Sequence, residues 1–156
     1  MLGLILAAGG PGALLGSLLA GRVAGRFGLG VSIIGSSFVS GLAYLLIPLA
    51  RGPSFFVVGL LMVAAFIGGV TNPVYNINQV SLRQAITPDR LQGRMNASVR
   101  FIVWGTIPIG ALMGGALGET LGLWPTIMAM AVCSMLAPLW VLFSPVRMLR
   151  TQPAPV

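Results

Sequence analysis

Side chains able to make or break bonds are almost missing from this chain. Its 156 residues include two carboxylates, Asp89 and Glu119, a single cysteine, Cys133, and no histidine. Without an imidazole, neither Ser-His nor Cys-His nucleophile activation can be built, and no His-ligated metal. A long apolar stretch separates the two carboxylates and places them on opposite faces of a membrane, so they cannot act as an acid–base pair. One cysteine within an apolar run allows neither a disulfide nor a Cys-based zinc site in one chain and reads as a packing residue. No enzyme activity, metal or cofactor is expected.

The chemistry that remains is non-covalent. Thr71 to Gln79 reads Thr-Asn-Pro-Val-Tyr-Asn-Ile-Asn-Gln, a high density of amides for an apolar neighbourhood. On a helix Asn72, Asn76 and Gln79 follow i, i+4, i+7 spacing and share a face, with Tyr75 in the same run. Amides on one face of a membrane helix should turn toward protein or water. Two readings stay open. Asn72, Tyr75, Asn76 and Gln79 line a substrate pathway, or they only hydrogen-bond to neighbouring helices, where Pro73 also frees a backbone carbonyl.

The elements that must carry these groups follow from composition. Apolar residues make up 56% and charged residues 7%, against roughly a quarter charged in soluble domains. Crossing a hydrocarbon core of about 30 Å takes about 20 helical residues. Five apolar runs reach that length, at Leu2 to Gly21, Val31 to Leu49, Phe55 to Tyr75, Phe101 to Leu121 and Trp124 to Phe143. They are too long for barrel strands and lack period-2 alternation, and lipid cannot satisfy free backbone groups, so helices are expected. The fold class is an all-α membrane protein with five transmembrane helices in contact with the lipid bilayer. No basic residue precedes the first run, so it does not read as a secretory signal, and the chain is expected to open inside a membrane helix. A short tail with Pro153 and Pro155 follows the last.

All nine basic residues are arginines. Arg22 and Arg26 follow the first run, Arg83, Arg90, Arg94 and Arg100 the third, and Arg147 and Arg150 the fifth. Only Arg51 falls on the other side. That asymmetry predicts a cytoplasmic position for the three Arg-rich segments and the C-terminus, with the N-terminus outside. It also accounts for the net charge of +7 through topology and anionic lipid, and no nucleic-acid partner is expected.

Small residues recur at four-residue spacing in the first run (Gly12, Gly16, Ala20) and the fourth (Gly110, Gly114, Gly118), a pattern that lets helix backbones approach closely, either in static packing or on sliding surfaces. Gly10 to Gly16 resembles a dinucleotide loop only loosely and follows no strand. Asn96, Ala97 and Ser98 form a glycosylation sequon on the expected cytoplasmic side and read as a chance match. From Thr87 to Met95 the chain reads as a helix start, with Thr87 to cap, Pro88 at the first position and Asp89 where the dipole favours an anion. Residues 81–97 are expected to form an amphipathic cytoplasmic segment.

Ser81 to Ala97, reading SLRQAITPDRLQGRMNA, resembles the loop between the tenth and eleventh helices of major facilitator superfamily exporters of the macrolide-efflux and enterobactin-exporter type. Gly21 to Gly28, GRVAGRFG, resembles the superfamily's short basic loop in its second-half copy, with Gly25 where the first-half copy carries an acid. Gly105, Pro108, Gly110, Gly114 and Gly115 loosely resemble the Gly-Pro motif of antiporters. The resemblance covers essentially the whole chain and assigns its spans to helices eight to twelve, making residues 1–156 a partial transporter domain, part of a C-terminal bundle. It implies export of a small-molecule substrate across the cytoplasmic membrane by alternating access, proton antiport, and further N-terminal helices as partners. Arg22, Arg26, Arg83, Asp89, Arg90 and Arg94 become loop or gate candidates. The alternative is a non-transporting multi-pass scaffold or a subunit of another permease.

Overall fold

The computed structural model describes residues 2–143. It is all-α, with α1 at Leu2–Phe27, α2 at Leu29–Leu49, α3 at Ser54–Ala85, α4 at Asp89–Leu121 and α5 at Leu123–Leu142. Each of the five is long and apolar enough to cross a membrane. Every helix also carries an internal proline, at Pro11, Pro48, Pro73, Pro108 and Pro138. In water such a residue disfavours a helix interior by about 3 kcal/mol. In a bilayer the unfolded alternative leaves backbone groups unsatisfied in hydrocarbon, so the helix persists across the proline.

The junctions are short. Single glycines separate α1 from α2 and α4 from α5: Gly28 has φ 89° and ψ 157°, Gly122 φ 91° and ψ 156°. That region belongs to glycine, because a Cβ would strain the backbone. The other two junctions enter the next helix through an extended proline, Pro53 or Pro88. Pro88 is the residue before α4 rather than its first turn, and Thr87 does not cap it. The Thr87 hydroxyl donates instead to the Arg83 carbonyl at 2.7 Å, closing the last turn of α3. Asp89 does lie in the first turn of α4. The segment around residues 81–97 is thus shared between two long helices, its first residues ending α3 and its last ones opening α4.

Neighbour contacts run in the order α1, α3, α2, α5, α4. The α1 and α3 backbones come closest. A Cβ built on Gly12 would lie 2.5 Å from the Phe66 carbonyl oxygen, one on Gly16 would collide with Val70, and one on Gly69 would collide with Gly9. A second close crossing joins α2 to α5, where a Cβ on Gly41 would meet Met135 Cα at 2.8 Å. By contrast α4 buries no residue, and Gly110 and Gly118 meet no other helix. Gly114 faces only the flexible end of Met130.

The buried interior is made of small and medium residues such as Ala20, Ile33, Ala43, Ala64 and Val74. Large apolar side chains including Phe55, Phe101, Trp104 and Trp140 point outward. Lipid tails are as apolar as leucine, so packing of small residues and interhelical hydrogen bonds, not burial of large ones, holds such helices together.

Candidate functional site

The α2 sequence spaces Ser32, Ser36 and Ser40 four residues apart, with Ser37 beside them, which lines hydroxyls along one side of the helix. On α3 the Thr71, Asn72 and Tyr75 group reaches the same place, and α5 contributes Ser134, Ala137, Pro138 and Val141. With Ser36, Ser37 and Ser40 of α2 they line a cleft of about 250 Å³ between three helices, while Ser32 lines the neighbouring groove.

Its hydrogen-bonding character follows from what each group already does. Ser36 donates to the Ser32 carbonyl at 2.6 Å, Ser37 to the Ile33 carbonyl at 2.8 Å and Thr71 to the Ile67 carbonyl at 2.9 Å. A hydroxyl whose proton is committed to its own helix keeps oxygen lone pairs, so these three present acceptors. Asn72 Oδ1 accepts from Asn76 Nδ2 at 2.8 Å, which orients the Asn72 amide nitrogen as the free donor. The Tyr75 ring packs against Leu29, Ile33 and Leu82. No charged side chain lines the cleft. It can hold an uncharged molecule with both donors and acceptors.

Beside it, between α1, α2 and α3, lies an apolar groove of about 280 Å³ lined by Val23, Phe27, Val31, Val39, Val70 and Val74 among others. Ser36 and Thr71 line both spaces, so the polar cleft and the apolar groove meet at these two residues.

Of the four substrate-pathway candidates, the structure brings Asn72 and Tyr75 to the cleft. Asn76 is exposed and reaches it only through its bond to Asn72, and Gln79 is half-buried away from the lining. The buried amide of this helix is Asn78, which is 4% exposed and donates to the Val74 carbonyl at 2.8 Å and across to the Ala20 carbonyl of α1 at 3.4 Å. A stripe of Thr71, Val74, Asn78 and Leu82 is the buried edge of α3. Its i, i+3, i+7, i+11 spacing was available as a signal but competes with the amide face beside it. The serines of α2 and Ser134 were not singled out from sequence, although the four-residue spacing of Ser32, Ser36 and Ser40 is visible there.

Among the basic-loop candidates, Arg22, Arg26, Arg90 and Arg94 are exposed and Arg83 is half-buried. Arg22 donates to the Leu18 carbonyl, while Asp89 accepts from Gln92 at 2.9 Å. Arg147 and Arg150 lie outside the described residues. At the other end of the bundle the Arg51 guanidinium carbon sits 4.1 Å from the centroid of the Trp124 ring, and Trp124 Nε1 donates to the Pro48 carbonyl at 3.0 Å.

No protein-family model, curated protein or solved structure matches the chain. Its chemistry must therefore be read from the cleft, the groove and the distribution of charge.

Proposed function

We propose that the chain forms part of a secondary active exporter of small molecules, of the major facilitator type, seated in the cytoplasmic membrane and working by alternating access. The single observation that carries this reading is the uncharged polar cleft among α2, α3 and α5, continuous at Ser36 and Thr71 with an apolar groove. A molecule leaving the bilayer needs an apolar surface to enter by and a few polar groups to fix its orientation, and sites of that mixed kind are usual for small ligands. In this reading Ser36, Ser37 and Thr71 accept hydrogen bonds from the substrate and Asn72 donates one, while Tyr75 supplies an aromatic wall. Arg22, Arg26, Arg83, Arg90 and Arg94 hold their helix ends on the cytoplasmic side.

The cleft is open, and α4 buries no residue. Alternating access needs two bundles rocking about a shared site, so further helices complete the pathway. A proton-coupled cycle would draw its carboxylate from those helices, because Asp89 and Glu119 both lie near helix ends. The bare surface of α4 equally suits a second reading, a subunit of another permease in which these helices pack against a partner without lining the pathway.

Inverted membrane vesicles from cells that produce the protein provide the test, since they keep whatever helices accompany it. Under an imposed proton gradient, uptake of a panel of hydrophobic drugs should depend on the gene and fall several-fold in an Asn72→Leu, Ser134→Leu variant present at equal level. Gene-dependent uptake that ignores the double substitution favours the subunit reading, and no gene-dependent uptake of any compound rejects transport. The purified chain alone in vesicles is expected to be silent.

A further inference from the structure

Away from the cleft, the end of α3 and the beginning of α4 border an open hollow of about 610 Å³, lined by Val80, Arg83, Gly93, Asn96, Ala97, Val99 and Arg100. No acidic side chain lines it. Arg83, Arg100 and Asn96 therefore border a hollow with no countercharge in its wall. Among the described residues, the Arg83 Nε is buried and has no hydrogen-bond partner. A buried donor left unmade is unfavourable, and the great majority of such groups in folded proteins find an acceptor. Asp89, the nearest carboxylate in sequence, already accepts from Gln92 and is not part of the lining.

We propose that this hollow is a binding site for a phosphate group, with the phosphodiester of an anionic phospholipid as its source. Arginine presents paired N–H groups as a fork that matches two oxygens of a phosphate, and Arg83 lines the hollow. Arg100 supplies a second positive charge and the Asn96 amide a neutral donor. Position favours a lipid over a soluble ester. α3 has 32 residues and α4 has 33, which makes each roughly 48 to 50 Å long against a hydrocarbon core of about 30 Å. Both helices overhang the apolar layer, and the Arg83 and Arg100 ends are the polar ones, so the hollow falls at head-group depth. The proposal is independent of transport and holds for a scaffold or a transporter alike.

The test uses the full chain purified in detergent and rebuilt into nanodiscs of phosphatidylcholine with or without phosphatidylglycerol. Bound lipid is counted by native mass spectrometry after release, and Kd for phosphatidylglycerol is taken from a titration. Arg83→Gln and Arg100→Gln should each weaken phosphatidylglycerol retention about tenfold, the range of a lost charge-assisted hydrogen bond. Arg26→Gln, which removes an exposed charge elsewhere, should change it less than twofold. Arg83→Lys keeps the charge but not the fork and should behave more like Arg83→Gln. Helix content by circular dichroism checks that each variant is folded, and Asn96→Ala, a milder change in the same wall, should give a smaller loss in the same direction. A parallel arm replaces chloride with inorganic phosphate at equal ionic strength. Displacement of the lipid by millimolar phosphate keeps the phosphate site but assigns it to a soluble ester. Equal retention by wild type, Arg83→Gln, Arg100→Gln and Arg26→Gln overturns the proposal.

Discussion

At the scale of single residues, two asparagines two positions apart on α3 hold opposite roles. Asn78 is buried and bridges α3 to the Ala20 carbonyl of α1, whereas Asn76 is exposed and orients Asn72 at the cleft. Asn78→Leu removes the bridge while keeping the branched shape in a bulkier side chain, and interhelical hydrogen bonds in bilayers contribute about 0.6 kcal/mol. A small drop in thermal stability in detergent is expected, with transport following the amount of folded protein. Asn76→Leu should leave stability unchanged and alter transport in the complete assembly, because it frees the Asn72 amide to turn. Transport that is intact for every compound tested in Asn76→Leu would leave only the packing reading of the amide face. Arg51 and Trp124 form a similar local pair. Trp124→Phe loses the Nε1 bond to Pro48 while keeping an aromatic face under Arg51. The expected result is a loss near 1 kcal/mol, the usual scale of one neutral hydrogen bond, read as a lower melting temperature.

At the scale of elements, glycine stripes with the same spacing have different environments in α1 and α4. Gly16→Val would drive a side chain into the α3 backbone at Val70, where nothing flexible can yield. Overpacking of that kind costs about 1 to 3 kcal/mol and more where the obstacle is backbone. Gly110→Val meets open space among the described residues and should be tolerated in the isolated chain. The comparison is direct: both variants are expressed in parallel and their monodisperse yield and melting temperature compared. Equal tolerance at both sites would mean that α1 and α3 are not in the close contact described. In an assembly with further helices, Gly110→Val becomes harmful only if a partner covers α4. The same contrast shows why spacing alone was an insufficient guide, since the pattern permits a close approach but does not supply the opposing helix.

At the scale of the whole molecule, orientation is the property most open to test. A cysteine at Gly93 in a Cys133→Ser background lies on an exposed position beside Arg90 and Arg94. If the orientation proposed from the arginine asymmetry holds, a membrane-impermeant maleimide should label it only after permeabilisation. Labelling in intact cells would reverse the topology. The tertiary arrangement adds that the bundle is unevenly filled. α2 and α3 are covered by neighbours on more than one side, whereas α4 touches α5 alone among its stronger contacts. Burial of α4 in any larger assembly should appear as slowed hydrogen exchange or protection of a cysteine at Gly110 when that assembly forms.

Composition and periodicity alone determined that the chain is a set of long apolar helices, because the hydrocarbon core sets their length and forbids unpaired backbone. Arginine positions carry an expected orientation in the same way, since the cost of moving guanidinium groups across the bilayer depends on the charge itself and not on packing. Which face of each helix meets which neighbour was decided only by the tertiary structure. In lipid, apolar side chains gain little by turning inward, so hydrophobic periodicity loses the information it holds in water. The sequence offered Asn72, Asn76 and Gln79 as one face of α3, and only the tertiary structure decided that Asn72 of these three lines the cleft. Asn72 joined serines from α2 and α5 that are distant in sequence, and Asn78 took the buried place. The hollow lined by Arg83 and Arg100 depends on the angle at which a three-residue link sets the start of α4 against the end of α3, a geometry no local pattern specifies.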